Sequence, residues 1–122
     1  MSGAGLLPSQ APPRLRVLFF LRLRPGAARR FLDAYERVRL RVARVPGHLH
    51  DQVCQSLHDP EEWLITSEWE SERAFLDWER TPEHRQDAAP MLEHTVERRS
   101  QRFLVRAATS TPLPWTAGER HG

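Results

Sequence analysis

The 122-residue chain predicts an α+β fold of ferredoxin-like type, four antiparallel strands with helices on one face, in the order β-α-β-β-α-β. Three observations carry this. Residues 14–24 alternate strictly, with Leu15, Val17, Phe19, Leu21 and Leu23 on one face. Phe31, Tyr35, Val38, Val42 and Val45 then recur at spacings of four, three, four and three, the one-sided stripe of a helix. Finally, two apolar segments flank the turn His58-Asp59-Pro60-Glu61, which predicts a hairpin.

The first strand is two-faced. Its second face carries Arg14, Arg16, Leu18, Phe20, Arg22 and Arg24, apolar in the middle and cationic at both ends. A face meant only for water has no use for Leu18 and Phe20 side by side, so a second buried surface is expected. Helices on one side leave this sheet face bare, and a second copy of the chain is the expected cover. Pro25-Gly26 ends the strand and Val45-Pro46-Gly47 stops the helix.

The next strand is expected from His48 to Leu57, with Leu49, Val53 and Leu57 inward. Its hairpin partner runs from Trp63 to Glu70, where Trp63, Ile65, Ser67 and Trp69 share a face. Ser71 is a suitable N-cap for the second helix, and Glu70 and Glu72 suit its positive end. Phe75 and Trp78, three apart, share a face of that helix. Folding the helix over its own strand brings Trp69, Phe75 and Trp78 together. Thr81-Pro82 breaks the helix and opens a short one. The run Ala88-Ala89-Pro90-Met91-Leu92 reads as a lead-out to a last strand from Val96 to Ala107, with Phe103 and Val105 on one face. The domain is expected over residues 14–108, between an N-terminal arm (1–13) and a Pro-rich tail (109–122). Trp115 is expected to tuck against a neighbour.

Composition narrows the function. All eighteen basic residues are arginine, so Schiff-base chemistry through a lysine is excluded. Net charge is only +2 because sixteen acids are interspersed, which argues against nucleic acid as a partner. No apolar run is long enough to span a membrane, and the start lacks the pattern of a secretory signal. One cysteine, Cys54, excludes an internal disulfide and is expected to be a small buried hydrophobe. A cytoplasmic protein is expected. No metal is expected: His48 and His50 lack an acidic or cysteine cluster at ligand spacing.

Phe19, Ile65, Trp69, Phe75 and Trp78 outline an apolar aromatic pocket suited to a flat, polycyclic small molecule. The polar groups expected at its mouth are His50, His84 and Arg85, and less strongly His48. A histidine can serve as base near neutral pH, and an arginine can neutralise a phenolate.

Several strings also resemble a known family. These are Arg24-Pro25-Gly26, Val45-Pro46-Gly47-His48-Leu49, Ser67-Glu68-Trp69-Glu70-Ser71 and Ala74-Phe75-Leu76-Asp77-Trp78. Over roughly residues 15–107 the chain resembles the antibiotic biosynthesis monooxygenase family, a branch of the dimeric α/β-barrel proteins. The resemblance implies a homodimer with one pocket per subunit. It implies no cofactor, with molecular oxygen as co-substrate. In the anthrone oxygenases of that family a tryptophan stands four residues after an asparagine and six before a tyrosine. Trp69 matches the tryptophan, whereas Ile65 and Phe75 stand at the polar positions. In the haem-degrading branch Trp78 matches the helix tryptophan. Phe19 takes the asparagine position and Asp87 and Ala88 the histidine positions, so His84 is mis-spaced for haem. Two readings lead: a cofactor-independent oxygenase for an aromatic polyketide intermediate, with Trp69, His50, His84 and Arg85 as catalytic groups, and an aldol-type polyketide cyclase. A non-catalytic binder is a third.

Overall fold

A computed structural model of the chain describes residues 12–112. The N-terminal arm through residue 11 and the tail from residue 113, with Trp115, lie outside the described residues. The elements are β1 (Leu15–Leu23), α1 (Ala28–Val42), β2 (His48–Gln55), β3 (Glu62–Trp69), α2 (Glu72–Glu79), α3 (Pro82–Leu92) and β4 (Thr95–Leu104). The strands form one antiparallel sheet in the order β2-β3-β1-β4. This is the expected ferredoxin-like fold, with the second helix split in two at Thr81-Pro82.

The inner face of β1 meets the helices as its alternation requires. Leu15, Val17, Leu21 and Leu23 are buried. Leu21 and Leu23 join Phe31, Ala34 and Val38 of α1, Trp63 of β3 and Met91 of α3 in one cluster. Phe31 is fully buried and meets Trp63 edge-on, ring centroids 5.6 Å apart. Burying a side chain of this size contributes roughly 1.5–3 kcal/mol. Leu15 and Val17 belong to a second cluster with Trp69 and Phe75.

Helix starts follow the sequence signals. The Ser71 hydroxyl accepts from the Ala74 N–H at 3.1 Å, and the Thr81 hydroxyl accepts from the His84 N–H at 3.1 Å. Each satisfies one otherwise orphaned donor. The expected lead-out at residues 88–92 is instead the last turn of α3, which continues through Pro90 to Leu92. Proline this near a C-terminus removes a single intrahelical bond, and burial of Met91 in the core holds the turn in place.

β2 departs most from its expected pattern. It ends at Gln55, and Leu57 lies in the following turn, 92% exposed. The pairing register of β2 with β3 shifts between His48 and His50, which leaves Leu49 as the extra residue of a β-bulge. His48, Asp51 and Val53 therefore stand opposite Trp69, Ser67 and Ile65 on the helix side. His50, Gln52 and Cys54 stand opposite Glu68, Thr66 and Leu64 on the outer side. Leu49 is accordingly exposed, and Cys54 is exposed rather than buried.

The outer sheet face holds Leu18 and Phe20 half-buried at its centre, with Arg99 stacked over the Phe20 ring at 4.3 Å. Glu68 is 7% exposed there, bonded to Arg14 (3.0 Å) and Arg16 (2.6 Å) and 3.4 Å from His50. Burial pushes its carboxyl up. The Arg14 hydrogen bond and the charges of Arg16, Arg14 and His50 outweigh that and hold it below the ordinary range. Phe103 lies on this face too, opposite Arg16, and is partly exposed.

Candidate functional site

A cavity of about 220 Å³ lies between the inner sheet face and the helices. Its floor is Val17, Phe19 and Leu21 of β1 with Ile65 and Trp69 of β3; its roof includes Phe31 and Val38 of α1, Phe75 and Trp78 of α2, and Met91 of α3. Phe19 and Ile65 are direct cross-strand partners.

The aromatic wall forms as the spacing predicts. Trp69 stacks on Trp78 with centroids 5.0 Å apart and meets Phe75 edge-on at 5.5 Å. Trp69 is 1% exposed, and its indole N–H donates to the Ser67 hydroxyl at 3.1 Å. With Ile65 and Phe75 on either side of it in the sequence pattern, Ser67 is the polar partner that Trp69 has.

The histidines of the described residues divide by geometry. His84, at the start of α3, packs edge-on against Trp78 at 4.3 Å and lines the cavity. Its Nδ1 is buried without a hydrogen-bond partner. Burial pushes its pKa below the ordinary value; the charge and backbone of Glu79 offset this only in part, so the ring is neutral at pH 7. A buried polar atom without a partner is uncommon in a folded protein. His50 does not reach the cavity. Alternation with Val53 puts it on the outer face beside Glu68, and the bulge at Leu49 turns His48 inward. Arg85 is exposed on α3 and does not line the cavity; Arg39 of α1 does.

The sequence reading missed Tyr35 and Asp51 as polar groups of the site. The Tyr35 hydroxyl donates to Asp51 Oδ1, and His48 Nε2 lies 2.7 Å from Asp51 Oδ2. Burial, then the hydrogen bond to Asp51 and its charge, push the Tyr35 phenol well above its ordinary value, so it stays a neutral donor. Tyr35 was visible only as a member of the α1 stripe. His48 and Asp51, three apart, share a strand face only because of the bulge. Among the described residues no group of three or more His, Cys, Asp or Glu could hold a metal ion, and no helix is long and apolar enough to cross a membrane.

Comparisons with known proteins agree with this architecture. The chain is 46% identical over 101 residues to the 42.8 kDa protein in the whiE locus of Streptomyces coelicolor, an overlap covering 83% of this chain and 25% of that protein. It is 38% identical over 105 residues to polyketide synthase CurD of Streptomyces cyaneus, covering 86% of this chain and 28% of that one. The chain thus spans about a quarter of the length of the curated relatives it matches. Among solved structures, SnoaB, a cofactor-independent oxygenase from Streptomyces nogalater, superposes with a TM-score of 0.70 at 16% identity, covering 79% of this chain and 96% of that chain. That likeness carries the fold. The sequence model of the antibiotic biosynthesis monooxygenase family matches residues 14–89, which hold the first three strands, the aromatic wall and both cavity histidines, and the chain belongs to that family.

Proposed function

We propose that the chain is a cofactor-independent monooxygenase that oxidises a flat aromatic polyketide intermediate, of anthrone or phenol type, in antibiotic or pigment biosynthesis. The observation that carries this is the cavity itself. An apolar, aromatic-walled space of about 220 Å³ contains neutral imidazole at its edge. The relation to polyketide synthase CurD and the shared fold with SnoaB support the substrate class and the absence of a resident cofactor.

The chemistry asks little else of the protein. A base removes a proton from an activated CH₂ or phenol, leaving an enolate or phenolate. That anion gives one electron to O₂, and the resulting radical and superoxide combine at carbon. Protonation gives a hydroperoxide, and loss of water leaves a carbonyl. One oxygen atom enters the product and the other leaves as water, so no external reductant is needed. Trp69, Trp78 and Phe75 hold the ring system flat and exclude water. Arg39, which lines the same cavity, is the cation available to negative charge developing on oxygen.

Purified, metal-free protein is expected to take up oxygen with a panel of anthrones and naphthacenones and to yield product heavier by 14 mass units, one oxygen gained and two hydrogens lost (about the arithmetic of CH₂ to C=O). A second reading is an aldol-type cyclase. Ile65 and Phe75 favour it, because they stand where the oxygenase pattern has polar groups. Product isomeric with substrate or lighter by water, with no oxygen consumed, would establish the cyclase and sink the oxygenase.

The same reading includes a cytoplasmic homodimer. Leu18, Phe20, Leu64 and Phe103 lie on the outer sheet face, and no helix among the described residues covers it. Light scattering at micromolar concentration is expected to give twice the chain mass, and Phe20→Asp to give the monomer, since a charge buried there has no partner. A wild-type monomer at that concentration would remove the second copy from the proposal.

A further inference from the structure

Asp51 is held from two sides. Its Oδ1 accepts from Tyr35 and its Oδ2 lies 2.7 Å from His48 Nε2. The His48 and Asp51 side chains are only 6% and 12% exposed. A carboxylate accepts and does not donate, so the imidazole nitrogen facing it carries the proton. Nδ1 of the neutral ring is then the nitrogen with the free lone pair. The ring lines the cavity and stands edge-on to Trp69, centroids 5.2 Å apart. Tyr35 occupies the other carboxylate oxygen, which prevents Asp51 from turning away. A base whose tautomer is set by a buried carboxylate, itself oriented by a further donor, is a recurring arrangement for proton abstraction.

His84 lacks this support. No carboxylate hydrogen-bonds its ring among the described residues, and its Nδ1 is buried without a partner. It fits a group that contacts substrate better than a group that cycles a proton.

We infer that His48 is the base of the site, with Asp51 and Tyr35 as positioning residues. The acidic proton passes from substrate carbon or oxygen to Nδ1, the bonding pair stays on the substrate as an enolate or phenolate, and Asp51 stabilises the imidazolium that forms. This assignment rests on the cavity being the substrate site, as proposed above. It does not depend on whether the anion then meets O₂ or an internal carbonyl.

The test is deuterium exchange into the methylene of 9-anthrone in D₂O without oxygen, read by mass spectrometry, beside oxygen uptake in air. Wild type is expected to accelerate exchange. His48→Gln is expected to slow the catalysed exchange by at least about 100-fold, the usual size of a general-base contribution. Asp51→Asn should lose a similar factor in kcat with little change in KM. It should also move the ¹⁵N shifts of the His48 ring from the Nε2–H towards the Nδ1–H tautomer, which a merely structural role would not do. His84→Gln should raise KM for the anthrone, as loss of a substrate contact would. Circular dichroism identifies any variant that fails to fold. In that case Asp51→Asn, which preserves shape, decides through the tautomer shift and kcat. Exchange that persists in His48→Gln, or a wild type that accelerates none, overturns the assignment. His48-dependent exchange without oxygen uptake removes the oxygenase reading and leaves the base in place. Oxygen uptake unchanged in His48→Gln does the reverse.

Discussion

Trp69→Ala is expected to destabilise the fold by about 3–5 kcal/mol, read as a lowered urea midpoint with an unchanged slope. Trp69 is 1% exposed and ties together three elements. It stacks on Trp78 and meets Phe75 on α2, and meets His48 on β2. Neither the strand backbone nor α2 can collapse into the space left, because α2 is held at its start by Ser71 and closed by the Thr81 hydroxyl on the Trp78 carbonyl. The loss would take a third or more of the stability of an ordinary domain. Trp69→Phe keeps most of the apolar volume and forfeits mainly the bond to Ser67, so its cost should be near 1 kcal/mol beyond the lost area. A Trp69→Ala variant as stable as the parent, yet inactive, would mean that this residue serves the chemistry and not the core. Loss of both is the expected result, since the same ring is core on one side and cavity wall on the other.

Much of this arrangement is legible in the residues. β1 is readable because period-two alternation over Leu15–Leu23 has one physical meaning, and α1 because Phe31, Tyr35 and Val38 repeat at helical spacing. The aromatic wall follows from placing Trp69, Phe75 and Trp78 on a strand and the helix that folds over it. What the pattern hides is the bulge at Leu49. One extra residue reverses the faces of everything before it, so an unbroken alternation points Leu49 inward and His48 outward, while the structure exposes Leu49 and turns His48 in. Asp51 faces inward with Val53 in either case, and it is its pairing with His48 that the bulge conceals. Arg85 is hidden differently: three residues of α3 past a helix start do not reveal rotation about the helix axis, which is set by Met91 and His84 packing into the molecule. The continuation through Pro90 shows tertiary burial overriding a local breaker. Tyr35 illustrates a further limit. A tyrosine in an apolar stripe announces its ring, and only the structure shows where its hydroxyl is satisfied.

Gly47→Ala tests the joint that sets the cavity's width. Gly47 has φ of +89°, in the region that an L side chain adopts at a cost of about 1–2 kcal/mol. A Cβ built there would lie 2.4 Å from the Cβ of Ala74 in the first turn of α2, so α2 must shift or the chain before β2 must move. The Gly47 carbonyl meanwhile accepts from the Glu70 N–H at 2.8 Å, which fixes the end of β3 to the same point. The combined cost is expected to be about 3 kcal/mol or more. Gly26→Ala is the control: its φ is +77° but nothing lies within 4 Å of the added Cβ, so only the backbone term, about 1–2 kcal/mol, should appear. Ala74→Gly in the Gly47→Ala background removes the collision and leaves the backbone strain, so the pair should show a favourable coupling of about 1–2 kcal/mol in a double-mutant cycle. The site should respond in step. Gly47 adjoins His48, and α2 carries Phe75 and Trp78, so displacing α2 from β2 moves one cavity wall relative to the imidazole on the other. Titration of an anthrone by tryptophan fluorescence is expected to show binding weakened in Gly47→Ala, largely restored in the double variant, and retained in Gly26→Ala. Absence of coupling between positions 47 and 74 would mean that the contact between β2 and α2 does not set the cavity. Coupling in stability and binding together would identify this glycine as the spacer that keeps the aromatic wall and His48 at working distance.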